Sequence, residues 1–254
     1  MLVDVHAHLD DEAFDGDRDQ LLEEIKSRGI TVINSGSDLE SSRLSLRLAR
    51  EYEFVYACVG IHPHEASGVP AGYLEALREM ARDPKVVAVG EIGLDYHYNF
   101  SPRDVQKKVF EEQLSLAREL GLPVVVHSRE AHGDTLEILK KSAVRKGLMH
   151  CYSGSPETAA ELLALGFYFS FGGILTFKNA ARTREVAAGL PRDRILLETD
   201  CPYLSPEPFR GRRNDPTRLP YIAAALAEIW GVPVEEVVEI THRNAVSLFN
   251  IDFK

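Results

Sequence analysis

Cysteine is scarce in this chain: Cys58, Cys151 and Cys201 are the three in 254 residues. An odd, widely spaced set points to reduced thiols in a cytoplasmic protein and away from a disulfide framework. Positive charge is also short. Lys and Arg total 29 against 39 Asp and Glu, a net charge of −10, which argues against a histone-like or broadly cationic nucleic-acid coat, although a local metal site still attracts phosphate. Long apolar runs are missing as well. The longest charge-free stretch, Leu162 to Phe177, is broken by Gly166, Gly172 and Gly173 and falls short of the roughly 20 apolar residues that span a bilayer. No membrane segment is expected. The opening MLVDVHAHLD puts Asp4 and His6 where a secretory peptide has a basic start and an unbroken apolar run, so export is not expected. No repeat, low-complexity segment or Ser/Gly/Pro-rich linker interrupts the chain.

The composition, 44% hydrophobic and 27% charged, is that of a soluble globular protein with a sizeable core, which rules out intrinsic disorder. Runs rich in Val, Ile and aromatics recur at Leu2 to Val5, Thr31 to Asn34, Val55 to Val59 and Val86 to Gly90. They continue at Val124 to His127, Gly147 to His150, Phe167 to Phe171 and Arg194 to Glu198. Between them lie helical patterns with stop signals. Leu21, Leu22 and Ile25 form an apolar stripe before Gly29; Val109, Leu116 and Leu120, supported by Phe110 and Leu114, form another before Gly121. Ser155 and Pro156 suit an N-cap and first helical position, with Gly166 as the stop. Nearly all-apolar strands are expected where both faces are covered, so the sheet is read as parallel. Eight strands in this length fit a single-domain TIM-type (β/α)8 barrel over residues 1–254; an open doubly wound α/β sheet is the alternative.

His6 and His8 lie two residues apart at the end of the first expected strand, so both imidazoles point to one face with Cα atoms roughly 6 to 7 Å apart. Glu91 ends the fourth expected strand, His127 the fifth and His150 the sixth, and Asp200 follows the eighth. In a parallel barrel those ends share the face where active sites form. Imidazole nitrogen with carboxylate oxygen suits divalent zinc, manganese, magnesium, nickel or iron, and no thiolate set points exclusively to zinc. Six ligands exceed what one tetrahedral ion with an open position needs, so two divalent metal ions are expected, roughly 3.5 to 4 Å apart and sharing a water that becomes the nucleophile. His6, His8 and Asp200 are assigned to one ion and His127 and His150 to the other, with Glu91 as the bridge.

These residues sit in longer motifs: DVHAHLD at 4–10, VGIHPHEA at 59–66, VGEIGLDYHYNF at 89–100 and PVVVHSRE at 123–130. HCYSGS at 150–155, SFGGILTFKNA at 170–180, LLETDCPYLSPEPFRGRRNDP at 196–216 and HRNAVSLF at 242–249 follow. Together they resemble the TatD family of metal-dependent hydrolases, within the amidohydrolase-like barrels, across almost the whole chain. The resemblance implies a TIM-type barrel, a two-metal site on the same six residues and hydrolysis of DNA phosphodiesters, in the manner of metal-dependent deoxyribonucleases acting from the 3' end. It also implies that Glu91 stands where some related barrels carry a carbamylated lysine. The RNDP stretch departs from the family's frequent RNEP, which weakens any inference from Asp215.

Around this set, His62 and His64 follow the third strand and are candidate phosphate or substrate contacts, or loop histidines. Arg129 is a candidate phosphate contact through its forked guanidinium, or a salt bridge holding its loop. Tyr96, beside His97, is a candidate ring for stacking on a base, or a loop anchor. Arg210, Arg212 and Arg213 suit a DNA backbone, or pair with nearby acids. Cys151 and Cys201 adjoin ligands but point away from them, so packing is expected of both. Asp200 is the expected proton acceptor for the attacking water and, with Glu91, a catalytic residue. DNA, single-stranded or at its 3' ends, is the expected substrate, held modestly and in a salt-sensitive way, and no obligate protein partner is apparent. Two competing readings keep the metals: an ester or amide hydrolase such as a D-aminoacyl-tRNA deacylase, and a non-catalytic metal-dependent binding scaffold.

Overall fold

The computed structural model describes residues 1–251. Eight strands form one sheet: β1 (Leu2–Ala7), β2 (Ile30–Ser35), β3 (Val55–Val59), β4 (Val86–Asp95), β5 (Val124–Arg129), β6 (Gly147–Met149), β7 (Phe167–Phe171) and β8 (Ile195–Leu197). They lie in chain order, and every neighbouring pair is parallel. Helices α1 (Arg18–Ser27), α2 (Leu39–Glu51), α3 (Tyr73–Met80), α4 (Arg103–Leu120), α5 (His132–Ser142), α6 (Pro156–Ala164), α7 (Ala181–Gly189) and α8 (Leu219–Trp230) follow the strands in turn, and α9 (Val234–Phe249) ends the set. This is the (β/α)8 barrel; sequential strand order excludes the open doubly wound sheet, whose order reverses at a switch point. The seam between β8 and β1 is joined just beyond β8. The Asp200 N–H donates to the His6 carbonyl (3.0 Å) and the His8 N–H to the Cys201 carbonyl (2.9 Å). Beneath them the buried Asp4 carboxylate accepts from the Thr199 N–H (2.9 Å) and hydroxyl (2.5 Å).

The expected helices form for the expected reasons. Leu21, Leu22 and Ile25 are buried on α1, and Gly29 takes a left-handed φ of 64° after it. Val109, Phe110, Leu114 and Leu116 are buried on α4, which stops at left-handed Gly121. The Ser155 hydroxyl accepts from the Thr158 N–H (3.2 Å) at the start of α6. Two strand boundaries differ in a way that matters. β4 continues past Gly90 to Asp95, so Glu91 lies inside the strand, and β8 is the short Ile195–Leu197. Beyond Gly90, where the expected strand ended, Gly93 is a place of close approach: it has φ 143°, and a Cβ there would sit on the His127 carbonyl oxygen.

Two apolar clusters separate the strand faces. Val3, Val5, Ile33, Cys58, Val87, Ala88, Val125, Leu148, Tyr168 and Leu196 come from all eight strands and meet in one cluster, which only the barrel lumen permits. Ala245, Leu248 and Phe249 of α9 join them and plug the floor. Val124, Val126, Phe167, Phe169, Phe171, Ile195 and Leu197 pack instead with the helices. The alternation that turns Val3 and Val5 inward would by itself turn His6 and His8 outward. A register shift between Asp4 and Ala7 reverses it, so Ala7 and Leu9 join the outer cluster while the histidines face the lumen. A second shift between Val89 and Ile92 does the same for Glu91, with Ile92 and Leu94 outside. Bulges that re-aim one side chain beside a site are a recurrent use of such irregularities. Cys58, Cys151 and Cys201 are free thiols. Among the described residues no helix is long and apolar enough to cross a membrane.

The close approach at Gly93 generates a stability prediction. Gly93→Ala is expected to push β4 away from β5 and destabilise the protein by more than about 2 kcal/mol. Chemical denaturation reads this directly, and a midpoint equal to that of the unaltered protein would show that the strand relaxes around the methyl group.

Candidate metal centre

The C-terminal mouth of the barrel opens into a cavity of about 550 Å³, and its floor is built around one carboxylate. Glu91 Oε2 faces His6 Nε2 (3.2 Å) and His8 Nε2 (3.4 Å). Its other oxygen, Oε1, faces His127 Nδ1 (2.9 Å), His150 Nε2 (2.9 Å) and His62 Nε2 (3.4 Å). On the first side the two imidazole nitrogens are 3.2 Å apart, and Asp200 Oδ1 stands 3.8 Å from His6 and 3.7 Å from His8. On the second, His127 Nδ1 and His150 Nε2 are 3.2 Å apart. Donor atoms bonded tetrahedrally to one ion at about 2.1 Å lie about 3.4 Å apart, so both spacings and donor types fit a divalent cation. His6, His8 and Asp200 form one such group, and Glu91 shares further groups with His6 and His150 and with His62 and His127.

The far nitrogens of His8, His6 and His127 are oriented from behind by hydrogen bonds. His8 Nδ1 donates to the Ser35 carbonyl (2.8 Å), His6 Nδ1 meets the Ser35 hydroxyl (3.1 Å), and His127 Nε2 donates to Asp95 Oδ2 (3.1 Å). His150 Nδ1 faces Glu198 Oε2 at 3.8 Å, and that carboxylate is held by the Ser170 hydroxyl (2.5 Å) and the Cys151 N–H (2.7 Å). Such partners fix ring orientation and raise ligand basicity. His62 is different: its Nδ1 accepts from the His64 N–H (3.2 Å), which puts the ring proton on Nε2, the atom that points at Glu91.

Burial sets the protonation of this cluster against its charges. Burial opposes ionisation of Glu91, but His150, His62, His6 and the His127 hydrogen bond outweigh it and hold the carboxyl well below its usual range. Burial likewise opposes charge on His8, yet the Asp200, Glu91 and Asp10 carboxylates raise it to about 9. His150 is raised well above its usual value against burial by Glu91 and Glu198, and His127 is raised by Asp95 and Glu91. Desolvation and the stacked His150 ring, 3.9 Å away, lower His6, and desolvation takes His62 down to about 4. Asp200 stays ionised because His8, His150 and His6 outweigh its burial. Protons on several imidazoles thus balance the carboxylates where cations would otherwise do so.

The structure brings together His6, His8, Glu91, His127, His150 and Asp200, and it sets His62, His64 and Arg129 in the same cavity wall. It does not bring Tyr96 there: the Tyr96 hydroxyl donates to Asp134 (2.6 Å) and the Arg103 guanidinium covers its ring at 4.1 Å. Arg210, Arg212 and Arg213 also lie off the cavity lining. Arg213 pairs bidentately with Asp17 (2.7 and 2.6 Å), and Arg210 covers the Phe177 ring at 4.4 Å. Asp215 caps a short turn through the Thr217 N–H (3.0 Å). Sequence reasoning missed Asp95, Glu198 and Ser35. Asp95 lies on the same face of β4 as Glu91, four residues on, but the bulge that sets that face has no sequence signature, and Glu198 lies beyond the short β8, where alternation gives no signal.

A barrel with this mouth places the chain among metal-dependent hydrolases. Within that class it belongs to the TatD-related DNase family, whose profile, described as TatD related DNase, matches residues 3–250. YabD of Bacillus subtilis, named an uncharacterized metal-dependent hydrolase, is 43% identical over 255 residues, covering 99% of this chain and 100% of that protein. TatD of Klebsiella pneumoniae, named a 3'-5' ssDNA/RNA exonuclease, is 34% identical over 259 residues, covering 99% and 98%. The crystal structure of the TatD homolog YjjV from Escherichia coli superposes with a TM-score of 0.93 at 34% identity, covering 99% of this chain and 98% of that one.

Because His8 and His150 hold protons that a cation must displace, metal affinity is expected to rise with pH through the value of about 9 for His8. Calorimetric titration of Mn²⁺ in two buffers of different ionisation heat should show proton release on binding. An affinity independent of pH would contradict this protonation pattern.

Proposed function

We propose that the chain is a two-metal deoxyribonuclease that removes nucleotides from the 3' end of single-stranded DNA. The observation that carries this reading is the division of Glu91, with one oxygen facing His6 and His8, which Asp200 also approaches, and the other facing His127 and His150. The printed activity of the Klebsiella relative supports the choice of substrate. His6, His8 and Asp200 would hold one divalent ion and His127 and His150 the other, with Glu91 touching both. Bound there, such ions supply Lewis acidity toward the phosphoryl group and lower the pKa of water.

The chain's own residues do the rest. Asp200, ionised and 3.7 Å from His8, accepts the proton of the attacking water at its free carboxylate oxygen as that water bonds to phosphorus, and the departing 3' oxygen takes up a proton from solvent water to leave a 3' hydroxyl. His62, neutral and with its proton on Nε2 beside Glu91 Oε1 (3.4 Å), shares that proton between the carboxylate and a non-bridging phosphoryl oxygen, a fixed dipole at the reacting group. Arg129 lines the cavity with its guanidinium over the Tyr98 ring at 4.8 Å, a contact that leaves its in-plane N–H groups unused. Its guanidinium is therefore free to hold a neighbouring phosphate. The net charge of −10 does not forbid this, since field inside a cleft follows the local groups.

Asp200→Asn is expected to keep the fold and to lower single-turnover cleavage of single-stranded DNA by about 100-fold or more; near-normal turnover would remove Asp200 from the proton step. The same assay run on oligonucleotides with free and blocked 3' ends, beside D-aminoacyl-tRNA, tests the substrate. Nucleotide release from free ends alone is the expected result. Amino-acid release would replace the nuclease with an ester hydrolase.

A further inference from the structure

Large apolar side chains exposed to water are few here, and they are not scattered. Among the described residues six stand out, and four of them gather at the cavity mouth: Tyr98 (50% exposed), Phe100 (68%), Tyr203 (56%) and Leu204 (36%). Tyr98 and Phe100 form a surface of their own. Their rings stack at 5.3 Å and 14°, the edge of Phe100 meets His64 at 4.8 Å, and the Arg129 guanidinium lies over Tyr98 at 4.8 Å. Scattered apolar side chains on a surface need no explanation, but a clustered patch beside a polar cleft marks a binding surface.

The segment carrying these rings is held in place. Asp95 Oδ1 accepts from the N–H groups of His97 (3.0 Å) and Tyr98 (2.9 Å), while Oδ2 of the same carboxylate holds His127. Gln106 donates to the Asp95 and Ser101 carbonyls (3.0 and 2.7 Å), and the Ser101 hydroxyl donates to the His64 carbonyl (2.8 Å). The aromatic surface is therefore indexed to the metal centre through one buried carboxylate, and little ordering remains for binding to require.

Charge decides what kind of ligand fits. The cavity lining contains one Lys or Arg, Arg129, against the acids Asp10, Asp11 and Glu65 at its edge. One guanidinium neutralises one phosphate, so a nucleic-acid strand cannot be held here mainly by counterion release. Beyond the phosphate that the metal centre would hold and the one beside it, base stacking is the remaining source of affinity, and every base offers a face to it.

We propose that Tyr98 and Phe100 form a ledge on which the terminal bases of a single strand stack, with Arg129 contacting the phosphate beside the one to be cleaved. The proposal rests on the nuclease reading for its choice of ligand. A paired duplex keeps its bases stacked on each other and gains nothing from the ledge, so preference for single strands follows.

The test uses metal-loaded protein and an oligodeoxythymidylate ending in 3' 2-aminopurine, its last linkages phosphorothioate so that it persists, alongside the same oligonucleotide with an abasic 3' end. Unaltered protein is expected to quench the aminopurine and to bind the base-bearing strand about tenfold more tightly than the abasic one. Phe100→Ala, on a side chain exposed enough to leave the fold intact, should abolish the quench and that preference, and so should Tyr98→Ala. With ordinary linkages, both should raise KM by about tenfold, more than they lower kcat. The KM ratio should change little with salt, because stacking releases no counterions. Equal binding of the two strands by unaltered protein, or variants that still prefer the base-bearing strand, would overturn the ledge. Quenching without any nucleotide release would keep the ledge and remove the nuclease reading; release without base preference would do the reverse.

Discussion

Everything at the mouth of this barrel is arranged around the fact that one buried carboxylate, Glu91, has two oxygens and shows a different set of partners to each. Oε2 meets the imidazoles of His6 in β1 and of His8 just after it, and Oε1 meets those of His127 in β5 and of His150 just after β6. A carboxylate this deeply buried is costly unless opposite charge surrounds it. The imidazoles supply that charge as protons, which is why burial fails to neutralise Glu91. A set of groups that needs several positive charges at fixed points is a set that binds cations, and the proton-balanced and metal-balanced forms exchange with pH.

Holding Glu91 in that place constrains the backbone on either side. The register shifts in β1 and β4 turn His6, His8 and Glu91 into the lumen where simple alternation would turn them out. The seam hydrogen bonds place Asp200 beside His6 and His8 through the main chain, so the first group of ligands is assembled by closure of the barrel itself. The second group depends on carboxylates behind the rings, Asp95 and Glu198, whose own hydrogen bonds are satisfied by neighbouring N–H and hydroxyl groups. Below these, the lumen is apolar from all eight strands and stoppered by α9. Water is thereby kept to one end, where a low local dielectric strengthens each of these interactions.

Asp95 links the two functional layers of the mouth. It orients His127 with one oxygen and anchors the His97–Tyr98 backbone with the other. The rings that face solvent therefore stand at a set distance from the metal centre. The acids at the edge and the single guanidinium on the wall make shape and stacking, and not net charge, the basis on which a strand would be selected.

The elements and the cluster of metal-type side chains were legible from sequence because they rest on local rules. Alternating βα patterns, helix stops at Gly29 and Gly121 and the cap at Ser155 follow from side-chain periodicity and backbone sterics, and the two-residue spacing of His6 and His8 puts both rings on one face. Which face that is could not be read locally. A bulge changes the phase of alternation without a signature of its own, since Gly90 looks like the end of a strand until His127 is seen packed against Gly93. The aromatic nearest to Glu91 in sequence, Tyr96, is drawn away by Asp134 and Arg103, while Tyr98, two residues on, takes the place at the mouth. Sequence determined the inventory of strands, helices and metal-type ligands. Tertiary structure alone decided the inward aim of Glu91, the carboxylates behind the imidazoles and the rings at the opening, because each depends on contacts between segments far apart along the chain.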